Sequence, residues 1–223
     1  LQFIINNLKF AKFQNHIDNG YPHTNSDIIF FTESYISKLL YYYNNNDIEP
    51  AIKDIGAVII HEAVHVWQRK DPKGFIDLFT NYWNFEKVSK IYNDDYLDKL
   101  KRYNPDGVDT NWIFKFNKKN IFILSIYQDD AINIGDVDFI GVYVEKNGDK
   151  CIIPDSSKPK DLSTIKKFNS FFEHLHGNHY HPNEISAEMM SIYYLKVMNL
   201  SHKKFENIGY KNMLVWLEKY LKN

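Results

Sequence analysis

The spacing of apolar positions predicts strands and helices in the first third of the chain. The apolar run 28–32, bounded by Asn25-Ser26-Asp27, predicts a short strand. A helical pattern follows at 33–43. A second helix is predicted at 50–70, because Pro50 suits the first turn of a helix. Its apolar residues recur at helical spacing: Ile52, Ile55, Val58, Ile59 and Val64.

Beyond residue 70 the pattern mixes helices with short strands. Residues 75–103 predict one or two aromatic-rich helices, with the aromatic side chains in the core. Strands are predicted at 121–127, 138–145 and 150–154, with Asn147-Gly148 as a hairpin turn. Helices are predicted at 163–174, with Ser163 as the cap, at 182–198 and at 205–221. The expected fold class is α+β, helix-rich with a small mixed sheet, in a single domain 1–223.

Composition narrows the possible functions. Lys and Arg total 27 against 28 Asp and Glu, so the net charge of −1 provides no long-range field for phosphates, and nucleic-acid binding is not expected. No apolar run approaches the roughly 20 residues of a membrane span. Cys151 is the one cysteine, which excludes an intrachain disulfide. The chain begins at Leu1 rather than Met, so a removed targeting segment and a secreted or extracytoplasmic location stay open.

The most informative segment is His61-Glu62-Ala63-Val64-His65, which fits H-E-x-x-H within the second predicted helix. Histidines four residues apart share a helical face, so both imidazoles can bind one metal ion, while Glu62 projects beside them toward a water molecule. Chance produces the motif roughly 0.02 times in such a chain. The alternative is two partly buried histidines that make hydrogen bonds only. We expect a Zn²⁺ site with His61 and His65 as ligands and Glu62 as general base.

A zinc site of this kind needs a third protein ligand and an open fourth position. Glu184, at the start of a predicted helix, is the first candidate. Glu188 lies four residues further on the same face and is expected to hold the free N–H of a histidine ligand. Small Ser186 and Ala187 allow this helix to approach the first one closely. The alternative is that acidic residues here simply favour a helix N-terminus.

Asp71 is the second candidate for the third ligand. It lies six residues after His65, where a downstream ligand is found when a glycine turns the chain back toward the metal. Gln68 occupies the position of that glycine. The helix would therefore continue and direct Asp71 elsewhere, and Asp71-Pro72 is also explained as a helix stop.

A group of histidines and a tyrosine precedes the helix of the third ligand. His179, Tyr180 and His181 are candidates for stabilising the oxyanion, because a protonated imidazole or a phenol hydroxyl near the metal can donate to it. Two alternatives stay open. One is an exposed loop without function, and the other is a separate metal site that also uses His174 and His176.

Together, H-E-x-x-H and the downstream E-x-x-x-E resemble the motifs of zincin metallopeptidases of the gluzincin type. The resemblance implies that His61, His65 and Glu184 bind zinc, that Glu62 activates water, and that Glu188 orients a ligand. It also implies a zincin-like domain in which residues of about 75–160 form a long insertion between the two ligand helices.

A local likeness covers residues 32–68. Through Tyr35-Ile36 and His65-Val66-Trp67-Gln68 this segment is similar to the plant basic secretory proteins, which also resemble zincins. In zincins an edge strand before the ligand helix pairs with an extended substrate. The strand at 28–32 is either that edge strand or an internal strand of the same sheet.

The resemblance and the motif lead to the expectation of a zinc-dependent metallopeptidase whose partner is a peptide or protein substrate. A zinc hydrolase of non-peptide amides or esters would use the same atoms. A catalytically silent zincin-like module that binds a protein partner is the third possibility, but such a module has no need of Glu62 as a base. The oligomeric state is not indicated by the sequence.

Overall fold

The computed structural model describes residues 6–92, 95–102, 104, 106, 111–133, 135–173, 175, 179–201 and 206–222. Their helices and strands make a mixed α+β structure with a curled sheet, so the predicted α+β class is confirmed. Within these ranges, no helix has both the length and the apolar character that crossing a membrane requires.

The elements are numbered in chain order. The α-helices of the described residues are α1 (Glu33–Asn44), α2 (Ile48–Ala51), α3 (Ala57–Lys70), α4 (Pro72–Asp77), α5 (Asp95–Leu100), α6 (Lys166–Phe172), α7 (Pro182–Val197) and α8 (Ile208–Tyr220). π-Helical turns follow α2 and α4, at Ile52–Gly56 and Leu78–Tyr82. The strands are β1 (Lys9–Phe13), β2 (His23–Asn25), β3 (Ile28–Thr32), β4 (Phe85–Lys87), β5 (Lys90–Tyr92), β6 (Trp112–Phe116), β7 (Lys119–Tyr127), β8 (Val137–Asn147), β9 (Lys150–Ile152) and β10 (Lys160–Asp161).

The chain forms two compact units. The first contains Leu1–Pro72, Asn104–Val108 and Ser186–Lys204, and the second contains Lys73–Tyr103, Asp109–Ile185 and Phe205–Asn223. The segment predicted to be an insertion, about 75–160, therefore belongs to the second unit apart from Asn104–Val108.

The first unit contains a three-stranded sheet with the strand order β1-β3-β2. β1 runs parallel to β3, and β2 runs antiparallel to it. The strand predicted at 28–32 is β3, and it lies between the other two. It is therefore the internal strand of this sheet, and the interpretation of 28–32 as an edge strand is wrong because β1 and β2 cover both of its edges.

The helix predicted at 50–70 is present and begins slightly earlier. Pro50 lies in α2, and the backbone stays right-handed helical through the π-helical turn into α3. α3 ends at Lys70, where the N–H of Asp71 donates to the carbonyl of Trp67 at 2.8 Å. Its second half is buried, from Glu62 to Gln68. The buried half is therefore the part that carries the H-E-x-x-H motif.

The second unit is built on a sheet with the strand order β4-β6-β7-β8-β9-β5, and β10 also pairs with β8. The strands predicted at 121–127, 138–145 and 150–154 are present as β7, β8 and β9 with slightly different ends. Asn147 pairs with Lys150, and Gly148 has a φ of 64° between them. This left-handed conformation suits glycine and confirms the predicted hairpin turn.

The prediction of helices at 75–103 holds up to Tyr82 and again in α5, but it is wrong between them, where β4 and β5 lie. Asn84 adopts a left-handed conformation with a φ of 60°, which ends the helical stretch, and β4 follows directly. Phe85 of β4 pairs with Phe114 of β6, and both rings are buried. Pairing with β6, a strand that the sequence pattern does not predict, overrides the helical spacing of the aromatic residues here.

The helix predicted at 163–174 is shorter and has a different cap. The Oδ1 atom of Asp161 accepts the N–H of Ser163 at 2.7 Å, so Asp161 caps the short 3₁₀ turn Leu162–Thr164 that precedes α6. Ser163 as the cap is therefore wrong, because the 3₁₀ turn places it inside the helical stretch. His174 lies outside the described residues.

Aromatic side chains form much of the core of the second unit. Trp83 is fully buried, and its Nε1 donates to the carbonyl of Gly209 at 2.8 Å. Phe114 and Phe168 pack edge to face, with ring centroids 5.2 Å apart. The expected core position of the aromatic stretch is confirmed for Phe75, Phe79, Trp83 and Phe85.

Candidate metal centre

The second half of α3 brings the two histidines of the motif together. His61 and His65 are one helical turn apart, and their Nε2 atoms lie 3.3 Å from each other. Two nitrogens bound tetrahedrally to one zinc at its usual bond length are about 3.3–3.4 Å apart. His65 is completely buried and Glu62 nearly so. The pair therefore has the spacing that one shared zinc ion requires.

Gln68 fixes the orientation of His65. The Nδ1 atom of His65 lies 3.0 Å from Oε1 of Gln68, an atom that only accepts hydrogen bonds. The proton of the neutral imidazole is therefore on Nδ1, and the lone pair on Nε2 points toward His61. The Nε2 atom of Gln68 donates in turn to Oγ of Ser186 at 2.8 Å.

α7 carries the predicted third ligand. Glu184 is buried, and Ser186 and Ala187 beside it are completely buried, as expected for close helix packing. The boundary between the two units falls inside α7, and the continuous helix carries Glu184 one turn ahead of Glu188. One ligand atom each from His61, His65 and Glu184 lie within 4.8 Å of one another.

Glu188 contacts the other histidine. Its Oε2 atom lies 3.7 Å from Nδ1 of His61, and both side chains are largely buried. This carboxylate favours a proton on Nδ1 of His61, which leaves Nε2 for a metal. Both imidazoles thus present Nε2 to the space between them. Two imidazoles and a carboxylate are a donor set that suits zinc, so the residues present fit the expected ion.

Asp71 does not join this group. Among the described residues, two sets of three possible ligands come close enough to hold a metal ion: His61-His65-Glu184 and Glu62-His65-Asp106. Asp71 belongs to neither set and follows the last residue of α3. The geometry thus favours Glu184 over Asp71 as the third ligand.

Asp106 is a residue of the site that the sequence analysis does not identify. One of its carboxylate oxygens lies within 4.8 Å of Glu62 and of His65. Partial burial lowers the pKa of Arg69, while the nearby carboxylates of Asp106 and Glu62 raise it. For Tyr35 the direction is the opposite: burial raises the pKa of its hydroxyl, and the negative charge of Glu62 raises it further. Glu62 thus lies close to Asp106, and its charge acts on both Arg69 and Tyr35.

The three candidates for oxyanion stabilisation have packing and capping contacts. His179 and Tyr180 both pack on Phe139, each with ring centroids 5.4 Å from it. Nδ1 of His181 accepts the N–H of Asn183 at 3.2 Å, in the first turn of α7. The oxyanion role of these residues stays a prediction. His176 lies outside the described residues.

No protein-family model matches this chain, and neither a curated protein sequence nor a solved structure is significantly similar to it. The residues of this centre, their distances and their burial are therefore what indicates a function for the chain. The gluzincin resemblance stays an interpretation of two short motifs.

Proposed function

We propose that this chain is a zinc-dependent metallopeptidase. The observation that carries the proposal is the distance of 3.3 Å between the Nε2 atoms of His61 and His65, with Glu184 in reach of both. Three ligands of these types leave a fourth position open, which is typical of catalytic rather than structural zinc sites. When bound, zinc would polarise the scissile carbonyl and lower the pKa of a water molecule.

Side chains of this protein supply the proton transfer and hold the histidine ligands in the proposed mechanism. Glu62 accepts a proton from the attacking water and delivers it to the leaving amine. Gln68 and Glu188 hold the two imidazoles with Nε2 toward the metal position. Burial of Glu62 beside the histidines supports catalysis over a silent binding module, because a buried carboxylate without a chemical role costs stability.

The experiment that tests this function is a comparison of Glu62→Gln with the wild type. Both proteins are loaded with one equivalent of zinc and incubated with an unfolded protein substrate. Glu62→Gln should retain its zinc and lose cleavage by about 100-fold or more, since it cannot accept the proton of the water. Glu49→Gln is the matched control, because Glu49 is exposed and pairs with Lys53 on the surface.

Two results would overturn the proposal. The first is cleavage by the Glu62→Gln protein at the wild-type rate, which would assign the activity to another group or to a contaminant. The second is a zinc-loaded wild type that cleaves neither the unfolded protein nor short peptides. Hydrolysis of simple esters without peptide cleavage would favour the zinc hydrolase of non-peptide substrates instead.

A further inference from the structure

Almost every polar group of Asp106 holds this residue in place. Its Oδ1 atom accepts two hydrogen bonds from Thr24, from the backbone N–H and from the hydroxyl, both at 2.7 Å. Its backbone N–H donates to Oδ1 of Asn104 at 2.7 Å, and its carbonyl accepts from Nη1 of Arg69 at 3.3 Å. Among the described residues, none donates a hydrogen bond to Oδ2 of Asp106. That oxygen is left for another partner.

The position of the Asp106 carboxylate makes it relevant to the proposed reaction. A carboxylate oxygen of Asp106 lies within 4.8 Å of a carboxylate oxygen of Glu62 and of a ring nitrogen of His65. Thr24, which holds Asp106, is buried in β2. Asp106 is therefore a fixed second carboxylate beside the residue that acts as general base in the proposed peptidase.

Two carboxylates this close repel each other unless a positive group or a shared proton lies between them. Arg69 does not neutralise the Asp106 carboxylate through a hydrogen bond, because its guanidinium donates to the backbone carbonyls of Asp106 and Ser26 instead. A protonated amine would offset the repulsion between the two carboxylates, since an ammonium group offers several N–H donors and a positive charge. Peptide hydrolysis produces such a group next to the general base.

We propose that Asp106 is a second catalytic carboxylate, which binds the nitrogen of the leaving amine. This inference rests on the proposed peptidase function. Glu62 takes one proton from the attacking water as the water oxygen bonds to the carbonyl carbon, and the same proton passes to the leaving nitrogen before the C–N bond breaks. Asp106 gains no proton in this sequence. It accepts a hydrogen bond from the N–H of the leaving nitrogen and stabilises the positive charge that develops there.

The first test measures binding and not turnover. Leucine amide and N-acetylleucine amide are titrated by calorimetry into zinc-loaded Glu62→Gln protein, which does not cleave them. The free amine should bind about 10-fold more tightly than the acetylated compound, since a charged hydrogen bond contributes that much. Adding Asp106→Asn should remove this preference. Asn keeps an oxygen for the two bonds from Thr24, so this variant preserves the anchor of the residue.

The second test compares an amide and an ester that share the same acyl group. In the Asp106→Asn protein the ratio of amide to ester cleavage should fall about 10-fold, because an alcohol leaving group has no N–H for Asp106. Asp27→Asn is the matched control, since Asp27 pairs with Lys9 on the surface of the same unit. The ratio in that variant should equal that of the wild type.

The possible failures are distinguishable. If wild-type cleavage depends on Glu62 but the free amine binds no better than the acetylated one, the role of Asp106 is wrong and the peptidase function stands. Loss of zinc in Asp106→Asn would make Asp106 a metal ligand instead. Equal losses of amide and ester cleavage would give it a structural role. A wild type without zinc or cleavage overturns both proposals.

Discussion

Gln68 and Ser186 are 118 positions apart in the chain, and Nε2 of Gln68 donates a hydrogen bond to Oγ of Ser186 at 2.8 Å. The other end of the same amide accepts from His65 at 3.0 Å. One buried side chain thus connects a proposed metal ligand on α3 with the helix that carries Glu184. The orientation of His65 and the packing of α7 therefore depend on the same residue.

Replacing Gln68 with leucine should weaken zinc binding by about 10- to 100-fold, because Nδ1 of His65 loses the acceptor that fixes its tautomer. Competition with a chelator of known affinity measures this change. The free energy of unfolding should also fall by about 1–3 kcal/mol, since Oγ of Ser186 becomes a buried atom without its donor. Gln128→Leu is the control, because Gln128 bonds to Asp138 on the surface. Equal zinc affinities in the two variants would contradict the role of Gln68.

Glu188 and Glu184 should differ in their effects on zinc. Glu188→Gln should lower the affinity by about 10-fold and keep one zinc per chain, because Glu188 contacts His61 and is not in the ligand set. Glu184→Gln should lose most of the metal at the same concentration. Atomic emission analysis after dialysis separates the two outcomes. The assignment fails if the Glu188 variant loses more metal than the Glu184 variant.

His179 should make the folded state sensitive to acid. Burial lowers the pKa of His179, and the nearby Asp161 opposes this shift by raising it. Below the unfolded value of about 6.5, the unfolded chain takes up a proton before the folded chain does, so the folded state loses stability as pH falls. Above that value His179 is neutral in both states and contributes no pH dependence.

Melting temperatures of the wild type and His179→Gln measured from pH 7.5 to 5 test this expectation. The stability of the wild type should fall more steeply with acid than that of the variant. His16→Gln, at an exposed position, is the control and should follow the wild type. Parallel curves for the wild type and His179→Gln would show that the protonation of His179 is not linked to folding.

A side chain at Gly209 should destabilise the protein. A Cβ atom there would lie 2.6 Å from the carbonyl oxygen of Phe171 and 2.7 Å from the ring of Phe172. Gly209→Ala should therefore lower the free energy of unfolding by about 1–3 kcal/mol, as measured in urea. Gly141→Ala should cost less, because the atom nearest to a Cβ there is the flexible side-chain end of Ile165, whereas Gly209 meets a backbone oxygen. A Gly209→Ala protein as stable as the wild type would contradict the packing around α8.

Features that depend on local sequence are predictable from it. The helix of H-E-x-x-H follows from Pro50 and the apolar spacing, and its end follows from Asp71-Pro72. The hairpin at Asn147-Gly148 is equally local, because its turn needs a residue with positive φ. The spacing of Glu184 and Glu188 on one face is also local, and it is retained in α7.

Features that depend on long-range contacts are not predictable in this way. Aromatic residues at helical spacing suggest a helix at 85–92, but Phe85 is in a strand because it pairs with Phe114. Asp106 shows no motif, and only the fold brings its carboxylate near Glu62. Gln68 could have been identified, since it lies three residues after His65 on the same helical face. The side-chain amide of Gln68 can accept a hydrogen bond from His65, and this was the signal that could have identified it.

The zinc content of the purified protein tests whether His61, His65 and Glu184 form a zinc site. It is measured after dialysis against metal-free buffer in the wild type, His65→Ala, Glu184→Ala and Asp71→Ala. We predict about one zinc per chain in the wild type and in Asp71→Ala, and almost none in His65→Ala and Glu184→Ala. Zinc that is absent from the wild type, or retained in Glu184→Ala and lost in Asp71→Ala, would contradict it.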